Sequence, residues 1–109
     1  MQVIRELDAG RTVEIPVGQT MEIRLPENPT TGFRWLMTVH CEPNCAILHE
    51  EFHPPARTIP GAGGERTWQV EAVAVGECDF ELTYRKHRKP WANSNTSQRN
   101  FRVHIRVTP

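Results

Sequence analysis

The chain has 109 residues, a formal net charge of zero, 38% hydrophobic residues and 24% charged residues. That size suits one domain with a two-layer core, so residues 1–109 are read as a single domain. Balanced charge removes any global pull towards nucleic acid or an anionic membrane, and no window approaches the roughly 18 apolar residues of a spanning helix.

Met1 to Asp8 carries Arg5, Glu6 and Asp8 and leaves no room for the apolar core of a signal peptide. The chain as given is therefore expected inside the cell, or exported only if a leader precedes it. From there, period-two alternation dominates. Val13, Ile15 and Val17 alternate with polar or turn residues, and Met21, Ile23 and Leu25 alternate with Glu22 and Arg24. Asn28-Pro29-Thr30-Thr31-Gly32-Phe33 follows, a run of turn formers that leads straight into Phe33, Trp35, Met37 and Val39. Asn28 suits a side-chain turn, Pro29 locks φ near −65° and Gly32 tolerates positive φ, so this segment is a rigid loop at a strand end.

Cys41, Cys45, His49 and His53 recur every fourth residue and are zinc-type ligands, which on a helix would share one face. Pro43 and Asn44 at the start and Pro54-Pro55 at the end break such a helix, and the spacing misses Cys-x2-Cys, so no metal is expected. With Cys78 the cysteines number three, an odd count that argues against a fully paired framework; they are read as reduced thiols. The segment 46–52 has only a weak strand pattern.

Gly61-Ala62-Gly63-Gly64 lies in the next long loop, and its spacing fits neither a phosphate loop nor a dinucleotide fingerprint. Trp68, Val70, Ala72 and Ala74 then share a face, as do Phe80, Leu82 and Tyr84. A third loop, from about Lys86 to Gln98, contains Lys89-Pro90-Trp91. The last run is the clearest, with Phe101, Val103, Ile105 and Val107 opposite Arg102, His104 and Arg106. Six or seven short, half-apolar strands without a helical stripe predict an all-β, immunoglobulin-like antiparallel β-sandwich, in which alternate loops gather at one end.

Other functions fit less well. Arg85 to Lys89 is a run of five basic residues near Trp91, as in a patch for single-stranded nucleic acid, but the rest of the chain balances the charge and a solvated loop accounts for the run. An enzyme is not expected, because the histidines are dispersed and no nucleophile motif accompanies Ser94 or Ser97. An immunoglobulin-like binding or adhesion module of the same fold is the alternative, since this sandwich hosts many functions.

Three ordered motifs carry a resemblance that spans essentially the whole chain. Asn28-Pro29-Thr30-Thr31-Gly32-Phe33, Gly61-Ala62-Gly63-Gly64 and Lys89-Pro90-Trp91 resemble the three loop motifs of the chagasin family, protein inhibitors of papain-like cysteine peptidases. The third departs from the family pattern, with Lys89 where arginine is usual and Arg88 one residue earlier as a partial substitute. The resemblance implies a monomer that needs no cofactor and wedges three loops into the peptidase cleft. In that scheme Thr30 and Thr31 sit over the catalytic groups, the glycine loop runs along one side, and Trp91 packs on the other. The cysteines have no role in it.

Overall fold

A computed structural model describes residues 1–28, 32–55, 63–86 and 97–109. Among the described residues eight strands run in chain order: β1 Gln2–Arg5, β2 Thr12–Pro16, β3 Thr20–Glu27, β4 Phe33–Val39, β5 Cys45–His53, β6 Gly64–Ala72, β7 Gly76–Lys86 and β8 Ser97–Thr108, with one 3₁₀ turn at Glu6–Asp8. They form two four-stranded sheets, β1-β3-β6-β5 and β2-β8-β7-β4. Among the described residues no helix is long and apolar enough to cross a membrane.

The alternation read from the sequence is what builds the core. Met21, Ile23, Leu25, Trp68, Val70 and Ala72 of the first sheet meet Trp35, Phe80, Leu82, Phe101, Val103 and Ile105 of the second in one buried cluster. Each fully buried aliphatic or aromatic side chain there contributes about 1.5–3 kcal/mol. The opposite phase, with Arg102, Arg106 and His104 on β8, faces outward.

Three features correct the sequence reading. The sheets are mixed rather than purely antiparallel, because β1 pairs in parallel with β3 and β2 in parallel with β8. β1 and β2 belong to different sheets, so neither forms a hairpin with its chain neighbour, and only a tight hairpin forces antiparallel pairing. Val39 and Val17 are exposed. A register shift between Met37 and Val39 breaks the phase of β4, and Val17 lies beyond the end of β2. The cysteines are not all reduced: Cys41 and Cys78 form a disulfide, leaving Cys45 as a buried free thiol. Cys78 is in phase with Phe80 and points towards the segment before β5, a proximity that exists only once the sheets stack.

Candidate functional site

Strand register places the three motif-bearing connections at one pole. Glu27, the last residue of β3, pairs with Gly64, the first of β6, and His53 at the end of β5 pairs with Glu65. Phe33, the first residue of β4, pairs with Lys86 at the end of β7, and Arg85 pairs with Ser97. The β3–β4, β5–β6 and β7–β8 connections therefore leave the sandwich from the same end. At the opposite end β5 begins at Cys45 beside Ala72, and Gly76 pairs with Val107. The disulfide closes that far pole.

Of the candidate residues, Asn28, Gly32, Phe33, Gly63 and Gly64 are described. Pro29, Thr30, Thr31, Gly61, Ala62, Arg88, Lys89, Pro90 and Trp91 lie outside the described residues. Gly32 has φ +82°, the left-handed region expected of it. Gly63 is exposed, and a Cβ built on it would lie 3.4 Å from both the Asn28 Cβ and the Glu27 carbonyl oxygen, so the first two loops touch at their feet. Gly64, by contrast with Gly63, is turned inward. It is buried, and a Cβ there would collide with the His53 carbonyl oxygen and the Phe52 ring. Its missing side chain serves the packing of β5 on β6.

Beneath the loops lies a polar network that the motif reading missed. Glu27 is only 2% exposed. Its carboxylate accepts hydrogen bonds from Arg66 Nε at 2.9 and 3.0 Å and from the Trp35 backbone N–H at 2.8 Å. The Arg66 Nη2 to Glu27 contact is 2.9 Å, and Arg66 Nη1 reaches Glu50 at 2.9 Å. The Glu27 hydrogen bond is the chief reason the Arg66 guanidinium is held still more firmly protonated than usual. The Trp35 indole N–H donates to the Pro26 carbonyl at 2.8 Å. One buried carboxylate thus joins the stem of the first loop to the start of β4 and to the strand that follows the second loop.

The third stem joins through Tyr84. Its hydroxyl accepts the Asn28 N–H at 3.0 Å, and its ring stacks on Phe33 at 5.4 Å and lies 4.8 Å from Trp35. The Arg99 guanidinium sits over the Tyr84 ring at 5.0 Å and near Trp35 at 5.7 Å. Cation–π contacts of this kind are worth about 0.5–1 kcal/mol at exposed positions. Glu27, Asn28, Gly63, Gly64 and Tyr84 are among the residues lining an open depression of about 260 Å³. The sequence did hold a signal for this network. Glu27 and Arg66 continue the inward phases of Met21-Ile23-Leu25 and Trp68-Val70-Ala72, where a charge needs a buried partner.

The four residues weighed as a zinc set are divided by the fold. Cys45, His49 and His53 lie on strand β5 rather than a helix, and Cys41 and Cys45 are buried whereas His49 is exposed and His53 half-buried. The sulfurs of Cys41, Cys45 and Cys78 lie within 4.8 Å of one another, but two of them are covalently joined. Burial pushes the Cys45 thiol up to about 11, which keeps it from ionising at neutral pH.

The fold is thus a two-sheet β-sandwich whose three motif-bearing connections leave from one pole, with the disulfide at the other. The chain belongs to the chagasin family of peptidase inhibitors, whose family model matches residues 14–105. It is 33% identical to chagasin of Trypanosoma cruzi over 102 residues, covering 90% of each chain, and 34% identical to amoebiasin-1 of Entamoeba histolytica over 106 residues, covering 95% of this chain and 97% of that one. Its backbone is similar to the crystal structure of the cysteine protease inhibitor EhICP2 from Entamoeba histolytica, with a TM-score of 0.82 at 18% identity, over 98% of this chain and 95% of that one.

Proposed function

We propose that this chain reversibly inhibits papain-like cysteine peptidases by filling their active-site cleft with the three loops of one pole. Membership of a family of peptidase inhibitors supports the activity. The observation that carries the loop assignment is the shared network under the stems, Glu27 with Arg66 and Asn28 with Tyr84. Loops fixed to one another at their feet dock as a unit and lose less freedom on binding, a saving of about 0.5–1.5 kcal/mol for each side chain already ordered.

In this reading Thr30 and Thr31 sit over the catalytic cysteine and histidine. A stiff Pro29-to-Gly32 turn resists cleavage because it need not offer a carbonyl in the aligned approach, about 3–3.5 Å, that thiolate attack requires. Gly61 and Gly63 carry no side chain, which leaves the second loop's backbone open to pairing along the cleft wall. Trp91, held by Pro90, packs on the opposite wall, with Arg88 and Lys89 steering approach to acidic groups. No covalent bond to the enzyme thiol is involved.

Titration of papain with the purified protein tests the reading. Competitive, reversible loss of activity is expected, with binding retained when the catalytic thiol carries a small blocking group. Trp91→Ala should weaken inhibition by on the order of 2 kcal/mol, roughly thirtyfold, without unfolding the protein. Full potency in both Trp91→Ala and Thr31→Ala would overturn the loop assignment.

A further inference from the structure

The pole opposite the loops gathers three sulfurs that peptidase inhibition does not use. The Sγ atoms of Cys41, Cys45 and Cys78 all lie within 4.8 Å of one another, and among the described residues this is the one such group of ligand atoms. Backbone hydrogen bonds hold the set in place. The Cys45 N–H donates to the Cys41 carbonyl at 2.7 Å and closes a turn over residues 41–45. Within that turn the Asn44 carbonyl accepts the Val73 and Ala74 N–H groups at 2.8 and 3.1 Å, and Asn44 Nδ2 donates to the Ala74 and Val75 carbonyls. The turn is thereby tied to the connection that leads into β7 and Cys78. Cys41 and Cys45 are buried and Cys78 is half-buried, with the Cα atoms of Cys41 and Cys78 5.1 Å apart.

The bridge between two of these sulfurs persists only where no strong reductant reaches it. A dithiol reductant supplies two electrons and two protons, breaks the Cys41–Cys78 bond, leaves a thiol on each residue and becomes a disulfide itself. Three thiols then share one small space. We propose that in this reduced state Cys41, Cys45 and Cys78 bind a thiophilic divalent cation of the zinc class, which takes over from the disulfide as the link between β7 and the start of β5. The cation displaces the three thiol protons to solvent, so the ligands are thiolates. Sulfurs on a tetrahedral zinc, each about 2.3 Å from the metal, stand about 3.8 Å apart, a spacing inside the 4.8 Å span of the cluster. Side-chain rotation at Cys41 and Cys78 opens their sulfurs to that spacing once the bridge is gone. Three thiolates suit zinc and exclude calcium and magnesium, which take oxygen ligands. The fourth position falls to water, reaching the ion past the half-buried Cys78. Burial alone explains one free core cysteine, but it does not require the third sulfur to stand beside the other two.

Titration with Co²⁺ of the full chain, reduced by a phosphine and freed of metal, is the test, because thiolate-bound cobalt absorbs by charge transfer in the near ultraviolet and aqueous cobalt does not. One ion per reduced chain is expected, with displacement by Zn²⁺ and a urea midpoint raised towards that of the bridged chain. The oxidised chain keeps a single thiol and should not bind. Reduced Cys45→Ser should bind about a hundredfold or more weakly, beyond what changes outside the ligand set cost, while its oxidised form keeps the bridge and shows that the variant folds. His49→Ala should bind as the reduced parent does. No charge-transfer absorption at millimolar Co²⁺, equal affinity in the reduced parent and reduced Cys45→Ser, or a reduced-parent urea midpoint that Co²⁺ leaves unmoved would each overturn the assignment.

Discussion

Replacing Glu27 by Ala should damage both stability and inhibition. The substitution removes a carboxylate that is 2% exposed, leaves the Arg66 guanidinium with only Glu50 among its carboxylate contacts, and takes the acceptor from the Trp35 N–H. Breaking one side of a buried ion pair costs about 3–5 kcal/mol, a large share of the roughly 5–15 kcal/mol that stabilises a domain. For a chain of this size the melting temperature should fall by on the order of 15 °C. Urea denaturation of Glu27→Ala, Arg66→Met and the double variant measures the coupling, and the double variant should recover part of the loss because no unpaired buried charge remains. Papain inhibition, measured at a temperature where each variant is folded, should weaken about tenfold, since the first two loop stems lose their common anchor. A Glu27→Ala protein within about 0.5 kcal/mol of the parent, with unchanged inhibition, would refute the reasoning.

Three further outcomes are expected. Tyr84→Phe removes the acceptor of the Asn28 N–H but keeps the ring stack; a stability loss of about 1 kcal/mol with a several-fold weaker Ki is expected, and an unchanged Ki would detach Tyr84 from loop positioning. The Cys41–Cys78 bridge spans 37 residues, for which loop entropy gives about 4 kcal/mol, so dithiothreitol or Cys41→Ser/Cys78→Ser should lower the urea midpoint markedly while leaving papain inhibition by the folded fraction intact. His104 donates from both ring nitrogens, to Glu77 and to Asp79 at 2.8 Å each, and these bonds, Glu77's first, raise its pKa above the ordinary 6.5. Its contribution is therefore complete below about pH 6.5 and is lost as pH rises through the raised value. Glu77 and Asp79 are lowered chiefly by the same bonds, so their contributions fade only as pH falls through those lowered values. Urea midpoints should decline on the alkaline side in the parent and not in His104→Gln, and a parallel decline in both would refute the linkage.

Much of the inhibitor's architecture was legible as pattern. A strand reports its buried face at every second residue, so Phe101-Val103-Ile105-Val107 and Phe80-Leu82-Tyr84 announced both strand and core. Turn chemistry likewise located the loop stems, because Gly32 in the left-handed region is a local demand. The strand at 46–52 read only weakly because β5 is a largely exposed edge that covers no core over most of its length. The parallel pairing of β1 and β2 escaped because neither makes a hairpin.

The sequence by itself determined a two-sided strand protein with three punctuated loops, since side-chain alternation and backbone φ preferences are properties of neighbouring residues. Only the tertiary structure decided that Glu27 meets Arg66, that Asn28 meets Tyr84 56 positions away, and that Cys41 pairs with Cys78 while Cys45 does not. Those pairings depend on strand register and on how the two sheets stack. Register and stacking are set by packing of the whole core, which no local stretch of chain encodes.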